Sequence, residues 1–524
     1  MDRRKFLKYG TIGVSGAAIG ATGFYSKSAS QMLTSKQTKS LDGYQHIMIP
    51  PLIEYPYSTT YRLPTFYVHQ STHMFFDEQS STAVAMSSML YPTTYMAPTI
   101  KLKRGDRVDF EIKNMMNEAT TNHWHGMHIP GPIDGGPHQE ISPHGTWEFS
   151  MNVENEASTY WYHAHTCKKT AVQVYNGHFG MLIVEDHNSE YLSRFMGLPD
   201  IYGVNDFPIM IQDKNFDKNG QQIYDTRGTN VMVGEYITVN GMTNPFISVS
   251  PGWNRFRLLN ASNTRVYNLS FKDGLEFYQI ASDGGFLNRP VLMKRSFLYP
   301  GERIEVMLNF ENYEGGIFDM EAMTIPPVPG QDPTQPVLRF AVNQSVPVPA
   351  ALPENLRVTV PQIDWEAYAA SAPAVSRTLH MDRNDEETEY YINKKMFDMN
   401  VINITIPKGE WETWQVTSAF GAHPFHVHAC SFIILSLNGE EPTEELKGWK
   451  DVMNPTLQHV DHDKVVSAKI MMKFDKTTHR NQESIEAGEA GAYSLEHHAP
   501  YMYHCHILEH EDLGMMGQFS VVES

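Results

Sequence analysis

Residue types that could do chemistry are concentrated near the C-terminal end, in the motif HCHILEHEDLGM that begins at His504. Successive side chains on a strand point to opposite faces, so Cys505 should face away from His504 and His506. Cys505, His510 and Met515, with one further histidine, would combine a thiolate, imidazoles and a weak axial thioether. This is the ligand set of a blue-copper electron-transfer centre. The two remaining histidines could serve a second metal site behind it.

The alternative is a buried thiol among histidines that serve only for packing, which is the better interpretation of a single His-x-His pair. A Cys, a His and a Met, each separated from the next by four residues, is a much rarer pattern. A zinc site is also less favoured, because zinc would not need this electron-transfer ligand set beside it. The motif therefore predicts a copper site.

Further histidine pairs occur upstream, in HWHG from His123, WYHAH with His163 and His165, and HPFHVH from His423. With the motif at His504, the chain has four His-x-His pairs, each of which puts two imidazoles on one strand face. Any single pair could be accidental among 24 histidines. Four pairs at equivalent positions of a repeat are not accidental in the same way, and eight converging imidazoles could hold three first-row metals.

The repeat itself consists of an alternating strand, a turn at a glycine and a second alternating strand, and it begins near Pro98, Pro245 and Val401. Short strands with Gly and Pro turns and little helical periodicity predict an all-β chain of three antiparallel β-sandwiches. We place the domains at 42–190, 204–345 and 375–524, with a Pro- and Ala-rich linker at 346–374. The histidine pairs fall in the first and third domains, so we expect the metals at their interface.

Composition narrows the function. The net charge of -19 over 524 residues argues against a nucleic-acid partner, and no later segment has the apolar run that a membrane span needs. The three cysteines cannot form a disulfide framework if Cys505 is a ligand, although Cys167 and Cys430 could pair. We expect a monomer.

The N-terminal residues 1–30 resemble a twin-arginine signal peptide. Arg3 and Arg4 lie in a basic leader, followed by a small, mildly apolar run. A disordered basic tail is the alternative. Twin-arginine export moves folded proteins, which suits a metalloprotein, and it implies a periplasmic location.

Taken together, the motifs HWHG, WYHAH, HPFHVH and HCHILEHEDLGMM resemble those of three-domain multicopper oxidases, especially the bacterial periplasmic copper-efflux oxidases and laccases. The resemblance extends from about residue 45 to the end of the chain. It implies cupredoxin-like Greek-key domains and four coppers that couple oxidation of a donor to reduction of dioxygen to water. The implied ligands are His423, Cys505, His510 and Met515 for type 1 copper, His123 and His426 for type 2, and His125, His163, His165, His428, His504 and His506 for the type 3 pair.

Water formation needs protons, and similar oxidases keep acids at the positions of Asp134 and Glu511. Either carboxylate could relay protons or hold a ligand imidazole in its tautomer, and either could be a solvated loop residue.

The reducing substrate is less constrained. Copper-efflux members carry a Met- and His-rich insertion before the third domain, and an Asp and a Met ahead of the HPFHVH motif. This chain has neither, since Ala419 and Gly421 stand ahead of its motif, although Met381 and Glu386 could be half of such a site. We therefore expect a phenol or other organic donor, with cuprous ion next and ferrous ion third.

A non-enzymatic role is the remaining alternative, because the family that the chain resembles includes exported scaffolds that have lost the copper ligands. All ligands are present here, which argues against that role. Copper storage would need surplus thioether clusters, whereas the 29 methionines are spread along the chain.

Overall fold

The computed structural model describes residues 41–523, except 56–57, 77–78, 227, 327, 329, 344–348, 420–422, 456–464 and 482–494. The predicted signal peptide at 1–30 and Gly421 lie outside the described residues. Within the described part, strands predominate and form six sheets, which pack as three sandwiches that we call the first, middle and third units. No helix in the described ranges is long and apolar enough to cross a membrane.

The first unit pairs the sheet β2-β6-β10-β9 with the sheet β3-β7-β4-β5, to which β8 is added through β7. Its strands are β2 (Leu52–Glu54), β3 (Thr60–Arg62), β4 (Phe66–Phe76), β5 (Gln79–Ser87), β6 (Thr99–Lys103), β7 (Arg107–Asn114), β8 (Thr146–Asn152), β9 (Ser158–His163) and β10 (Phe179–Glu185), and β1 (Gln45–His46) precedes them in the chain. The alternating residues of β7 bury Val108, Phe110 and Ile112 between the two sheets. The inward faces of the strands therefore form one apolar core, as alternation predicts.

The middle unit pairs the sheet β1-β15-β23-β22-β17-β20 with a larger sheet around β11, β16 and β21. Its strands are β11 (Asp206–Phe216), β12 (Gln222–Ile223), β13 (Tyr236–Val239), β14 (Met242–Thr243), β15 (Pro245–Val249), β16 (Trp253–Asn260), β17 (Val266–Phe271), β18 (Phe277–Ser282), β19 (Gly285–Met293), β20 (Arg295–Leu298), β21 (Arg303–Asn309), β22 (Ile317–Ile325) and β23 (Thr334–Val342). Strand β1 lies within the predicted first domain, yet it pairs in parallel with β15. The first described strand of the chain therefore belongs to a sheet of the middle unit.

The third unit pairs the sheet β25-β24-β27-β31-β29 with the sheet β26-β33-β32-β28-β30. Its strands are β24 (Val375–Arg383), β25 (Tyr390–Ile392), β26 (Ile404–Pro407), β27 (Trp411–Ser418), β28 (Phe425–Val427), β29 (Phe432–Leu437), β30 (Val452–Met453), β31 (Val466–Lys473), β32 (Tyr501–Cys505) and β33 (Met516–Val522). The all-β sandwich class predicted from the sequence is confirmed. Parallel pairs such as β24 with β27 and β26 with β33 occur among the antiparallel ones, because crossover connections return the chain to the same sheet.

Helices are short in the described ranges: α1 (Thr170–Asn176), α2 (His187–Met196), α3 (Trp365–Ser371) and α4 (Leu508–Asp512), with 3-10 turns at Gly131–Ile133 and Glu444–Leu446. The loop of the motif at His504, between β32 and β33, contains α4. One helical turn brings His510 back toward Cys505, because each residue of a helix advances only about 1.5 Å.

The segment predicted as a linker, which we call the strap, forms polar contacts with the sandwich units within its described residues, 349–374. Arg357 is buried and forms an ion pair with Glu156 of the first unit, with Nη1 to Oε2 at 2.7 Å. Asn288 of the middle unit donates to the carbonyl of Ile363. The Trp365 indole donates to the carbonyl of Ile434 in the third unit, at 2.8 Å. This strap therefore contacts all three units.

Candidate metal centre

Strand β32 positions ligands on two sides. It pairs antiparallel with β28, which places His504 opposite His426 and Cys505 opposite Phe425. Cys505 points into the core between the sheets of the third unit, whereas His504 and His506 face the first unit. The opposite orientations predicted from strand alternation are therefore present.

The group around Cys505, which we call the thiolate group, is His423, Cys505 and His510. The Cys505 Sγ lies 3.5 Å from His423 Nδ1 and 3.7 Å from His510 Nδ1, and the two Nδ1 atoms are 3.1 Å apart. Three donor atoms thus face one point, as a trigonal site requires. Met515 is fully buried, and its backbone carbonyl accepts from the Cys505 N–H at 3.1 Å.

Tyr390 of β25, itself buried, packs against the thiolate group. Its ring stacks on the His510 imidazole with centroids 4.1 Å apart and an interplanar angle of 19°. His510 is only 6% exposed, so little of this ligand is open to solvent. Nothing in the sequence distinguishes this tyrosine from the other 25.

Eight imidazoles, which we call the imidazole cluster, meet between the first and third units and are buried. Nitrogen atoms within 4.8 Å of one another define three groupings: His123, His125 and His426; His125, His163 and His506; and His165, His428 and His504. Rings from the two units stack in pairs, His123 on His428 and His125 on His426, each with centroids 3.8 Å apart. All eight predicted histidines are therefore brought together at the predicted interface.

Backbone carbonyls fix the direction of several rings. The Nδ1 atoms of His163, His123 and His426 lie 2.7 to 2.9 Å from the carbonyl oxygens of Ala164, Asp134 and Asp451, respectively. Such contacts hold one ring nitrogen protonated and direct the other at a metal.

Both predicted carboxylates contact the imidazole cluster. Asp134 Oδ2 lies 2.7 Å from His428 Nδ1, and Glu511 lies between His165 Nδ1 at 3.3 Å and His504 Nδ1 at 3.2 Å. Burial raises the pKa of Asp134 and that of Glu511 well above their ordinary values. Both are buried at the cluster rather than solvated in loops, and both tend to hold a proton.

A third carboxylate was missed by the sequence analysis. Asp451 Oδ1 lies 3.0 Å from His125 Nε2, and its two oxygens accept from the Arg303 guanidinium at 2.6 and 2.7 Å. Burial raises the pKa of Asp451 to about 6, although Arg303 opposes the shift. Lys450 and Asp283 continue this buried charge network. Charged side chains such as these lie at the solvent-exposed surface in most proteins. Their positions in the sequence therefore gave no indication of a buried network.

The middle unit approaches the cluster without supplying a predicted ligand. Gly301 has φ +83°, and a Cβ there would lie 2.7 Å from His506 Nε2. Only glycine allows the backbone this close while adopting positive φ. Together with Arg303, this contact makes the middle unit the supporting wall of the cluster.

The donor set fits a metal, because several of its ring nitrogens are buried without a partner in the described part of the chain. The Nε2 atoms of His123 and His426 and both ring nitrogens of His506 are buried and have no hydrogen-bond partner among the described residues, so each of these three rings has a nitrogen free to ligate. Leaving such nitrogens unpaired costs free energy, and metal ions would satisfy them. Burial first, then neighbouring imidazoles, lowers the pKa of the cluster histidines, so they are neutral and able to ligate.

Models of multicopper oxidase domains match the chain at 70–189, 205–336 and 370–524. The chain belongs to the multicopper oxidase family.

Curated relatives agree with this assignment. The chain is 33% identical over 438 residues to the multicopper oxidase mco of Staphylococcus aureus, covering 83% of each chain. It is also 32% identical to the cell division protein FtsP of Photorhabdus laumondii, covering 90% of this chain and 92% of that one.

Among solved structures, the chain is similar to a bacterial laccase-like multi-copper oxidase CueO from Ochrobactrum sp., with 30% identity and a TM-score of 0.75, covering 91% of this chain and all of that one. That protein is described as having oxidase activity towards lignin model compounds and lignosulfonate. The predicted cupredoxin-like fold is confirmed, and family membership implies that copper is the metal.

A cleft of about 1000 Å³ adjoins the thiolate group of this multicopper oxidase. Its lining comprises one face of the loop after His510, an acidic side and several sulfur-bearing residues: Cys167, Lys168, Tyr224, Thr226, Asn230, Thr388, Met396, Phe397, Asp398, Met399, Glu509, Glu511, Asp512, Leu513, Gly514 and Met516.

Two expectations from the sequence are corrected by the structure. Met381 is fully buried in the core of the third unit and cannot be half of an accessible cuprous site, and Cys167 and Cys430 are both unpaired cysteines.

Proposed function

We propose that the chain is a multicopper oxidase that oxidises phenols or similar organic donors and reduces dioxygen to water. In this proposal the thiolate group with Met515 holds type 1 copper, and His123 with His426 holds type 2 copper. The remaining six imidazoles hold the type 3 pair, as two sets of three: His125, His163 and His506, and His165, His428 and His504. The observation that carries the proposal is that every donor expected from the motifs is present and that the histidine and cysteine donors converge in these sets.

When bound, the coppers would supply one-electron oxidation of the donor and four-electron reduction of dioxygen to two waters. The chain supplies the connection between the two sites. Cys505 belongs to the thiolate group, and its covalent neighbours His504 and His506 belong to the cluster. Electrons that enter at one site therefore have a short route along bonded atoms.

Four protons must accompany four electrons, and buried acids are the means of delivery. Glu511 touches two cluster imidazoles and also lines the cleft, where Asp512 accepts from the N–H groups of Thr170 and Ala171. Burial raises the pKa of Asp512 to about 7, so it can exchange protons near neutral pH. Asp134 lies elsewhere on the cluster, against His428. We assign proton transfer to Glu511 and Asp134.

The cleft supports an organic donor. It offers more volume than a metal ion needs, its wall includes Phe397, Leu513 and Tyr224, and it is within the size range of small-molecule sites. The laccase-like relative with activity on lignin model compounds supports the same substrate class.

Cuprous ion is the second candidate because of one observation. The thioethers of Met396, Met399 and Met516 and the thiol of Cys167 line the same cleft, and soft sulfur ligands favour Cu(I). This set differs from the half-site expected around Met381 and Glu386. Ferrous ion has no comparable support.

Oxygen uptake by the copper-loaded protein separates these donors. We expect 2,6-dimethoxyphenol to be oxidised without added copper, and Cu(I) and Fe(II) to be poorer donors when measured in parallel. The variant Met396→Leu with Met399→Leu should leave phenol turnover within about twofold, since methionine-to-leucine changes conserve volume. If the wild type consumes oxygen with Cu(I) but not with the phenol, and the double variant loses that activity, the substrate is cuprous ion.

Absence of oxygen uptake with every donor, despite a full copper complement, would instead favour a non-enzymatic role. The relatives include a protein of cell division, which makes this outcome worth testing.

Export by the twin-arginine pathway rests on Arg3 and Arg4, and the change of both to lysine should retain the protein in the cytoplasm. The monomeric state stays a prediction for light scattering.

A further inference from the structure

A histidine pair outside the copper ligands lies on two short extended segments of the third unit. His479 and His498 form an isolated antiparallel bridge, flanked by the hydrogen bonds Arg480 N–H to His497 O and Ala499 N–H to Thr478 O. These flanking bonds make the two histidines a non-hydrogen-bonded pair, the register in which opposite side chains come closest. Their ring centroids are 4.6 Å apart at an angle of 40°.

The His498 ring is held in one orientation. It is fully buried, and its Nδ1 lies 2.7 Å from the Thr478 hydroxyl oxygen. That hydroxyl is also 3.1 Å from the carbonyl oxygen of Val521. We assign the hydroxyl proton to Val521, so the Nδ1–H of His498 donates to Thr478 and the lone pair lies on Nε2. A second partner that fixes one ring nitrogen is typical of metal-binding histidines.

The remaining nitrogens have no partner. His498 Nε2 and His479 Nδ1 are both buried atoms without a hydrogen-bond partner among the described residues. Two imidazoles used only for packing would leave both of these polar atoms unsatisfied, at a cost of about 1–3 kcal/mol each. A cation shared between them would satisfy both.

We propose that His479 and His498 form a peripheral binding site for a divalent first-row cation that favours imidazole, such as Zn(II) or Cu(II). The pair lies near the protein surface, because the His479 side chain is only half-buried although its Nδ1 atom is not exposed. Glu523, His497 and Lys408 are near enough to affect the pKa of His479, and Glu523 is itself paired with Lys408 at 2.9 Å. The positive charge of Arg480 acts on His498. Two protein ligands leave open positions for water, so binding is reversible rather than structural.

The proposed site is separate from the imidazole cluster but lies close to a turn that leads to one of the residues in contact with that cluster. Thr477, next to the pair, accepts from the N–H of Gly131 at 3.1 Å, in the turn that leads to Asp134. A cation bound by both histidines would link the two segments and would therefore stabilise the backbone contact between Thr477 and that turn.

Zinc titration of the copper-loaded full-length protein tests the proposal, with copper and zinc counted together by elemental analysis after equilibrium dialysis against buffer that contains zinc at a fixed concentration. We expect the wild type to retain one more zinc per chain than His479→Gln and His498→Gln, with copper content unchanged in all three. Zinc should also raise the melting temperature of the wild type and not of the variants, because a ligand of the folded state stabilises it. His187→Gln, at an exposed histidine of α2, is the matched control and should behave as the wild type.

Equal zinc content in the wild type and in His479→Gln would overturn the proposal. His498 is buried, so its variant is interpreted only if the blue absorption and copper content are retained. His479 is half-buried and decides the question if the His498 variant fails to fold. A gain of zinc in the wild type that is also lost in His187→Gln would mean non-specific binding, and would equally reject the site.

Discussion

The thiolate group and the imidazole cluster share strand β32 but differ in what surrounds them. His423, Cys505 and His510 all come from the third unit, and apolar side chains and the Tyr390 ring enclose them. The cluster draws its imidazoles from two units and has carboxylates at Asp134, Glu511 and Asp451 in contact with its rings. The middle unit adds Arg303 and Gly301 to the cluster.

This difference matches what each site must move. A site that passes single electrons gains from a rigid, dry enclosure, since little should reorganise between two oxidation states. A site that forms water needs protons, and buried acids with raised pKa values supply them. Substitutions at the thiolate group should therefore impair electron entry, whereas substitutions of the acids at the imidazole cluster should impair dioxygen reduction.

The largest effect is expected from Cys505→Ser. Because Cys505 faces the thiolate group while its neighbours face the cluster, the variant should lose the intense blue absorption and essentially all oxidase turnover. Copper bound by the imidazole cluster should be retained at about three ions per chain, since the cluster offers donors for three metals. Absorption spectra, oxygen uptake and elemental analysis measure the three quantities. Persistence of the blue band would refute the assignment of Cys505.

Asp134→Asn should slow dioxygen reduction by about 100-fold, the range for loss of a positioned acid, while leaving electron entry unchanged. In stopped-flow experiments the blue band should bleach with substrate at the normal rate and recover slowly in oxygen. Glu118→Gln, at an exposed carboxylate paired with Lys169, is the control and should recover normally. Normal recovery in Asp134→Asn, at full copper content, would exclude Asp134 from proton delivery.

Much of this architecture could be predicted because it is local in sequence. Strand alternation placed Cys505 opposite its histidine neighbours, and the repeated His-x-His pairs located the cluster at the interface of the first and third units. Asp451 and Arg303 could not be found this way. Their significance comes from contact between residues of three units, 148 positions apart in the case of their ion pair.

Two further features required three-dimensional packing. Tyr390 is covalently remote from His510, and only the fold of β25 over the loop stacks their rings. The strap at 349–374 looks like a linker in composition, because Pro and Ala dominate it. Arg357 nevertheless anchors it through a two-point ion pair with Glu156, and Trp365 through one indole hydrogen bond, and composition reveals neither.

Asp451→Asn tests whether the middle unit matters to the cluster. Loss of the carboxylate removes the partner of His125 and leaves the buried Arg303 with less compensation, so copper affinity of the cluster should fall about 10-fold. Competition with a chelator measures the affinity, and the melting temperature should fall as well. Asp319→Asn, at the more exposed Arg339 ion pair of the middle unit, is the control with little expected effect. Equal losses in both variants would indicate general destabilisation instead.

Met515→Leu should give the smallest change, because it leaves the three close donors of the thiolate group in place. An axial thioether donates weakly to the metal, and its removal destabilises Cu(II) relative to Cu(I). We expect the blue colour to remain and the reduction potential to rise by about 60 mV, which corresponds to a tenfold change in relative affinity for a one-electron couple. Redox titration of the blue band measures this shift. Met516→Leu is the matched control: the adjacent residue begins β33, lines the cleft and should leave the potential unchanged. A shift in Met516→Leu with none in Met515→Leu would exchange the two methionines, and the axial position would then face the cleft rather than the core.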